Sequence, residues 1–495
     1  MFEDNFEKAI EKCSKMWYNR IEKKKWEVSK MPFSKYLDSK RDICRDLVEY
    51  LGKEYEYVSI LGTDVRTQAW RSDRNISMIR EGDGECGFVV KLQNDGMFFE
   101  YSLDDISGSA QAIAQKISGA LKVDASLKEK TIGAEGVKDE PLKKDFVRES
   151  DFDGYTDSEI LNLCKKIRDE LLQKDEHFVN AIVSVQPYTV SKLFISKNRE
   201  LSQHYGWANG GIYGVYFDGK MVMVRDGANS NLLSEVLPKL SGLTDQLTDR
   251  AKKLVKAKPI EPGVYDVITD SSITGLIAHE AFGHGVEMDQ FVKDRALAKK
   301  YMGKYVASPI TNMRDGAAAT LSAASYFFDD DGVLARDTQI IRNGVLVAGL
   351  SDLVSATELS TEPTGNGRRQ SFKRKAYSRM TNTFFEPGSD KLSDMIGSVK
   401  HGYMLFQTNN GMEDPKNWQI QCTAEYGIEI VDGKLTDNYV SPVVMSGFVP
   451  DLLGSISMVS DNFEVIGAGM CGKGYKEWVR VSDGGPNLKV KVKLG

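Results

Sequence analysis

No apolar run in the 495-residue chain approaches the ~20 residues needed to cross a bilayer, which excludes a helical membrane protein. The first residues, MFEDNFEKAIEKCSKMWYNRIEKKK, interleave acids and bases with apolar residues at helical spacing and hold no signal-peptide core, so a cytoplasmic protein is expected. Cysteine is sparse. The six (Cys13, Cys44, Cys86, Cys164, Cys422 and Cys471) are scattered without a CxxC pair, which argues against a disulfide scaffold and for reduced thiols. There is no excess of basic charge either. Sixty-five Lys and Arg against 71 Asp and Glu leave a net −6, which argues against a general nucleic-acid surface.

Histidine is rarer still, with five in all, yet two of them bracket a glutamate in DSSITGLIAHEAFGHGVE, residues 270–287. His279, Glu280 and His284 form the pattern HExxxH. Imidazole nitrogens suit zinc, and a carboxylate beside the first ligand can serve as base without being a ligand. In the familiar HExxH pattern the histidines stand at i and i+4 on one helix face. Here the i and i+5 spacing puts them roughly 140° apart on a regular α-helix, too far to share one ion. A local widening to i→i+5 hydrogen bonding would stack them again. Gly283 and Gly285 ease such a distortion. The pattern therefore predicts a helix from about Ser272 to Val286, capped from Asp270–Ser272 and widened near Gly283.

The length fits two to four domains. Residues 1–260 read as an α+β domain with antiparallel strands and helices. Helical periodicity covers most of 1–52 (Phe6, Ile10 and Cys13; Ile43, Leu47 and Leu51), with a solvated basic run at 23–25. Strands follow from Tyr55, with a hairpin turn at Gln93–Gly96, and then a helix at about 107–121. Residues 122–151 are charged and read as a linker or exposed excursion. A similar order then recurs as a possible loose duplication: a helix at 157–172 and strands at 181–186, 190–196, 211–217 and 221–225, with Asp218-Gly219 turning the last hairpin.

Residues 261–495 read as a β-rich domain holding the metal-binding helix. A strand at Val264–Ile268 leads into that helix, and another helical stretch is expected at 290–305. The 44 glycines exceed the usual ~7% and fit many tight turns. Asn343-Gly344 and Asp432-Gly433 signal two-residue hairpins. Asp329-Asp330-Asp331-Gly332 lacks the spaced acids and final glutamate of a calcium loop, so a turn with exposed acids is expected. Arg368 and Arg369 could clamp a substrate carboxylate or pair with acids at a domain interface.

A catalytic zinc needs three protein ligands and an open position. His177, His204 and His401 have ordinary contexts. Glu287, three residues past His284, could ligate or orient a histidine from the second shell. Cys471, among the glycines of IGAGMCGKGYKE, could ligate as a thiolate. The residues alone leave Cys471 and Glu287 as equal candidates.

The stretches HEAFGHGVE, FFDDDG at 327–332, TGNGRR at 364–369, SRMTN…EPG at 378–388 and MCGK fall in an order that resembles the TldD/PmbA metalloprotease family, on its TldD-like, metal-bearing side. The similarity covers most of residues 260–495. The resemblance implies a cytoplasmic zinc protease acting on unfolded or short peptides, as a homodimer or a heterodimer with a paralogue lacking the metal motif. It implies Zn2+ held by His279, His284 and Cys471, Glu280 as general base, and Glu287 in the second shell. The GKGYKEW that follows Cys471 and the absence of a terminal Gly-Gly depart from the family pattern. Two alternatives compete: a metal-dependent amidase acting on small substrates, and a non-catalytic partner subunit that retains zinc.

Overall fold

The computed structural model describes residues 33–82, 84–121, 137–474 and 477–495. The expected helix through Phe6, Ile10 and Cys13, the basic run at 23–25 and residues 122–136 of the charged stretch lie outside the described residues. The chain is mixed α+β. No helix among the described residues is long and apolar enough to cross a membrane.

The first sheet contains β1 (Tyr57–Ser72), β2 (Ser77–Glu81), β3 (Glu85–Asn94), β4 (Met97–Leu103), β5 (Leu142–Val147), β6 (Phe178–Ser196), β7 (Arg199–Asp218) and β8 (Lys220–Ser230). The order is β4-β3-β1-β6-β7-β5, with β2 on β1 and β8 on β7. Only the β5–β7 pairing is parallel, so part of the charged 122–151 stretch is an edge strand of this sheet.

Alternation along β6 shows how the sheet is used. Ala181, Val183, Val185, Leu193 and Ile195 pack under helices, whereas Tyr188, Val190 and Phe194 point the other way. Helices Arg41–Leu51 and Ala110–Ala120 bury Cys44, Leu47, Leu51, Ala114 and Ile117 on the first face. Helix Asp157–Lys174 covers another part of it and starts with a capping box between Thr156 and Glu159. The second face closes on residues 317–335 through Tyr188, Val190, Tyr205 and Trp207 against Ala317, Ala323 and Tyr326.

Strands β6 and β7 run longer than the expected pieces at 181–186, 190–196 and 211–217. Pro187 does not break β6. The β1–β6 register passes from Thr67↔Tyr188 to Trp70↔Val185, which leaves Pro187 out of that ladder, and Thr67 Oγ1 donates to its carbonyl at 3.0 Å.

Beyond residue 260 come β9 (Gly263–Thr269), β10 (Met313–Asp315), β11 (Thr338–Arg342), β12 (Val345–Leu346) and β13 (Gly367–Arg368). Next are β14 (Tyr377–Ser378), β15 (Asn382–Phe385), β16 (His401–Asp414), β17 (Gln419–Val431) and β18 (Lys434–Val440). The last are β19 (Val443–Phe448), β20 (Met458–Val459), β21 (Glu464–Lys473), β22 (Glu477–Gly485) and β23 (Leu488–Leu494). One sheet runs β16-β9-β23-β19-β17-β18, and β16 also pairs with β17, so five of these strands close into a barrel. A second sheet runs β12-β11-β10-β15-β22-β21. The segment 271–286 lies between the two, packing Ile273, Leu276, Ile277, Ala281 and Phe282 into a core shared with Phe385, Leu405, Trp418 and Val481.

Three of the four expected hairpin turns form with left-handed backbone at both positions: Asp95-Gly96 (φ 49° and 73°), Asn343-Gly344 (47° and 79°) and Asp432-Gly433 (47° and 74°); at Asp218-Gly219 only Gly219 (71°) is left-handed. The helical stretch expected at 290–305 is instead two short pieces, Met288–Val292 and Leu297–Tyr301. Asp294, at φ 54°, turns the chain between them.

Asp329, Asp330 and Asp331 are buried, not exposed. Lys91 of β3 pairs with Asp331 and Lys192 of β6 with Asp330. Asp329 instead accepts backbone N–H bonds from Asp331, Val333 and Gly367 at 2.8–2.9 Å. The acids sit inside because the first sheet presents buried lysines to meet them. Glu100 completes the cluster by pairing with both Lys91 and Arg369. Removing one member of such a set strands a charge in the interior. Lys91→Met is therefore expected to lower unfolding stability by about 3–5 kcal/mol, read as a shift in the urea midpoint. A wild-type midpoint would contradict this account of the interface.

Candidate metal centre

The segment that carries HExxxH begins where β9 ends. Asp270 accepts from Ile273 N at 2.8 Å to cap the first turn, and its other oxygen accepts from Gln407 N of β16 at 3.1 Å. Six α-helical residues, Ser271–Leu276, lead into a π-helical stretch, Ile277–Gly283, and a final 3-10 turn, His284–Val286. The expected widening is present, but it starts at Ile277, well before Gly283. Its i→i+5 hydrogen bonding links the two histidines themselves, His284 N donating to the carbonyl of His279. Their rings stand 5.2 Å apart, centroid to centroid, at 88°.

Gly283 does not supply unusual backbone freedom, since its φ and ψ of −60° and −46° are ordinary for a right-handed helix. It supplies room. A Cβ at this position would lie 2.0 Å from Met380 Sδ and 3.0 Å from the Ala278 carbonyl. Gly285 likewise leaves space for Glu413 and the Trp418 indole, whose nearest atoms would lie 2.8 and 2.9 Å from a Cβ.

Cys471 arrives from β21, opposite Val479 of β22. One ligand atom from each of His279, His284 and Cys471 lies within 4.8 Å of the others, and Cys471 Sγ is 3.3 Å from His284 Nε2. Ligands at ~2.0–2.3 Å from a tetrahedral zinc stand roughly 3.3–3.8 Å apart, so the Cys471–His284 spacing matches the ion and the set of two imidazoles and a thiolate fits it in kind. Burial opposes the Cys471 thiolate, but the two imidazoles outweigh it and hold the thiol well below its usual range. Burial likewise opposes the charged form of His279, and the nearby Cys471 overcomes it, raising the imidazole to about 9. Buried His279 Nδ1 has no hydrogen-bond partner among the described residues and lies 4.0 Å from Asp483 Oδ2.

Glu280 faces the same point. Its oxygens are 4.0 Å from His279 Nε2 and 3.9 Å from His284 Nε2. Its side chain is 20% exposed against 4% for His279, so the glutamate lies on the approachable side. Burial raises its carboxyl above the usual range, against the pull of both histidines.

Glu287 is not one of the converging groups. Its Oε2 is 3.3 Å from His284 Nδ1 and accepts from Lys473 Nζ at 2.9 Å, while Oε1 lies 3.5 Å from Arg379 Nε. Burial works against its charge, and Lys473, His284 and Arg379 more than compensate, holding the carboxyl far below its usual range. Arg379, itself buried, also donates to the carbonyls of Cys471 at 2.8 Å and Glu477 at 2.9 Å. One side chain thus ties the cysteine strand to the carboxylate behind His284. Lys473 adds Asp289 at 2.5 Å and the Ser378 carbonyl at 3.0 Å.

Arg379, Lys473 and Asp483 did not emerge from the sequence reading. Lys473 carried a signal, because a residue two past Cys471 on a strand shares its face. Arg379 carried none. Arg368 and Arg369 are not in the cluster: Arg369 forms two 3.1 Å bonds to Glu100, and Arg368 donates to the Met380 carbonyl at 2.6 Å. For Arg369 the interface pairing is the arrangement observed. The remaining histidines have other partners: Asp175 for His177, Ser191 for His204 and Glu429 for His401.

Residues 262–494 match the family described as the PmbA/TldA metallopeptidase C-terminal domain. A metalloprotease of Methanocaldococcus jannaschii is 34% identical over 237 residues, covering 48% of this chain and 52% of its own. A zinc metalloprotease TldD homologue of Saccharolobus solfataricus is 30% identical over 287 residues, covering 56% of this chain and 63% of its own. The chain spans about half the length of the first curated relatives it matches. Among solved structures, TldE from Thermococcus kodakarensis superposes with a TM-score of 0.71 at 18% identity, over 92% of this chain and 100% of that one. A Thermotoga maritima protein described as a candidate modulator of a DNA gyrase gives 0.74 at 18% identity, over 93% and 100%. At these identities the structural likeness is one of fold.

If Glu287 orients His284, its loss should weaken metal binding without unfolding the chain. Glu287→Gln is expected to lower zinc affinity about 10–100-fold in a chelator competition. Unchanged affinity would reduce Glu287 to a structural carboxylate.

Proposed function

Because the chain belongs to the TldD/PmbA family, we propose that it is a zinc-dependent peptidase that hydrolyses peptide bonds of unfolded or short peptides. The observation that carries this reading is the convergence of His279, His284 and Cys471 around one point, with Glu280 beside it on the approachable side.

The chain's own residues divide the work. His279, His284 and Cys471 would hold the ion and leave one position open to substrate. When bound, zinc supplies a Lewis acid that polarises a scissile carbonyl and makes water easier to deprotonate. Glu280 takes the proton and delivers it to the leaving amine. Its raised affinity for a proton suits both transfers, since a carboxylate of ordinary acidity is a weaker base. Glu287, by accepting at His284 Nδ1, directs Nε2 toward Cys471. Arg379 and Lys473 hold Glu287 charged in a buried setting, so it remains an acceptor.

Strand β16 crosses Glu280 closely: a Cβ on Gly411 would meet Glu280 Cγ at 2.6 Å. The strand therefore limits the rotamers of the base. A homodimer, or a heterodimer with a paralogue that lacks HExxxH, is the proposed assembly, and cytoplasmic action on loosely structured peptides is the proposed setting.

The test is cleavage of an unstructured peptide mixture read by mass spectrometry, with wild type and Glu280→Gln brought to equal zinc content. Wild type is expected to cut, and the variant to be slower by at least about 100-fold. Equal rates would remove Glu280 from the chemistry. Hydrolysis of simple amides in place of peptides would favour an amidase, and no cleavage by the zinc-loaded chain alone or with its paralogue would favour a structural metal.

A further inference from the structure

On the other side of the ribbon that carries Cys471 lies a cavity of about 270 Å³ between the first sheet and the C-terminal half. Met470 and Arg480, a cross-strand pair of β21 and β22, line it, whereas none of His279, Glu280, His284 or Cys471 does. Its walls include Tyr188, Tyr205 and Tyr326.

The charges lining this cavity are unequally committed. Lys192 and Asp330 pair with each other, Arg369 with Glu100, and Asp329 is satisfied by backbone N–H groups. Arg368 and Arg480 have no ion-pair partner among the described residues. The Arg480 guanidinium lies 3.8 Å from the centre of the Tyr188 ring, and Arg368 sits 5.6 Å from that of Tyr326. A guanidinium held over a ring by its face keeps its N–H edge for a carboxylate, and Arg368, which spends Nη1 on the Met380 carbonyl at 2.6 Å, keeps its remaining N–H groups. From the first sheet comes one acid with a spare oxygen. Glu85 Oε1 accepts from Phe372 N at 2.6 Å, and its Oε2 has no hydrogen-bond partner among the described residues.

The geometry points to a binding site for a small zwitterion, a free amino acid or a dipeptide, whose carboxylate meets Arg480 and Arg368, whose ammonium meets Glu85, and whose side chain rests among the tyrosines. The opposite charges on facing walls distinguish it from a plain anion site, where an acid on the rim would repel phosphate. The volume suits a molecule of that size. Strand β21 presents Met470 to this cavity and Cys471 to the histidines, so the two sites lie on opposite faces of one strand. The site does not depend on the chain being a peptidase.

L-phenylalanine, which has no peptide bond to cleave, is the probe, titrated calorimetrically into the zinc-loaded full chain. Saturable binding is expected. Phenylalaninamide, lacking the carboxylate, and N-acetylphenylalanine, lacking the ammonium, should each bind at least about tenfold more weakly. Arg480→Met should impose the same loss. Glu85→Gln, nearly isosteric, should do so too and keeps the test decisive if Arg480→Met fails to fold. His284→Ala should leave binding intact. Absence of binding overturns the proposal, and so does competition by inorganic phosphate at equal affinity. Loss of binding in His284→Ala with retention in Arg480→Met would place the amino acid on the metal centre and also overturn it.

Discussion

One backbone hydrogen bond underlies the arrangement of the site: His284 N to the carbonyl of His279. With α-helical bonding the two imidazoles would diverge by roughly 140°, and no single ion could be reached by both. The wider turn brings the rings to 5.2 Å and aims both at Cys471. A π-turn is poorer in hydrogen-bond geometry than an α-turn and needs support from outside the helix. That support is visible on several sides. Asp270 ties the start of the segment to β16, Met380 fills the space beside Gly283, and Trp418 stacks on Phe282 at 5.9 Å. The site therefore depends on the barrel and on the 378–382 stretch as much as on its own motif.

Buried charge is the second organising feature. Carboxylates inside a protein are costly unless they are paired and hydrogen-bonded. Two groups of them are paired with buried cations. One set, Lys91, Glu100, Arg369 and Asp331 with the neighbouring Lys192–Asp330 pair, joins the first sheet to the C-terminal half. The other, Glu287, Lys473, Arg379 and Asp289, stands behind His284 and Cys471. Ion pairs contribute little net stability over apolar packing, but they specify direction and partner. In the first case that fixes how the two halves meet. In the second it fixes which way an imidazole and a cysteine strand face.

Much of the fold was legible because its signals are local. Asp95-Gly96, Asn343-Gly344 and Asp432-Gly433 need left-handed backbone, which few dipeptides accept, so they announce their turns from sequence alone. Helix Asp157–Lys174 starts at a capping box and buries Ile160, Cys164, Ile167 and Leu171 on one stripe. The 19-residue length of β6 was not legible, because Pro187 reads as a break unless one knows that the β1 ladder skips it. The burial of Asp329–Asp331 was not legible either. Three consecutive aspartates look exposed until lysines some 140 to 240 positions earlier are placed against them.

At the site itself, the HExxxH spacing by itself demanded a widened helix, since five residues of regular helix cannot bring two imidazoles to one ion. The residues also named His279, Glu280 and His284 as a group, because these lie within five positions of one another in the sequence. Which of Cys471 and Glu287 converges on the two histidines was decided only by the tertiary structure. Cys471 and Glu287 were equal candidates on chemistry, and the fold separates them by placing Arg379 and Lys473 around Glu287 and leaving Cys471 facing His284. The pairing of Arg369 with Glu100 and the reason for Gly283 were likewise fixed by what packs against them. Sequence determines what depends on neighbours a few bonds away. Groups brought together across a hundred residues or more owe their chemistry to the fold, because charge, burial and steric contact act through space.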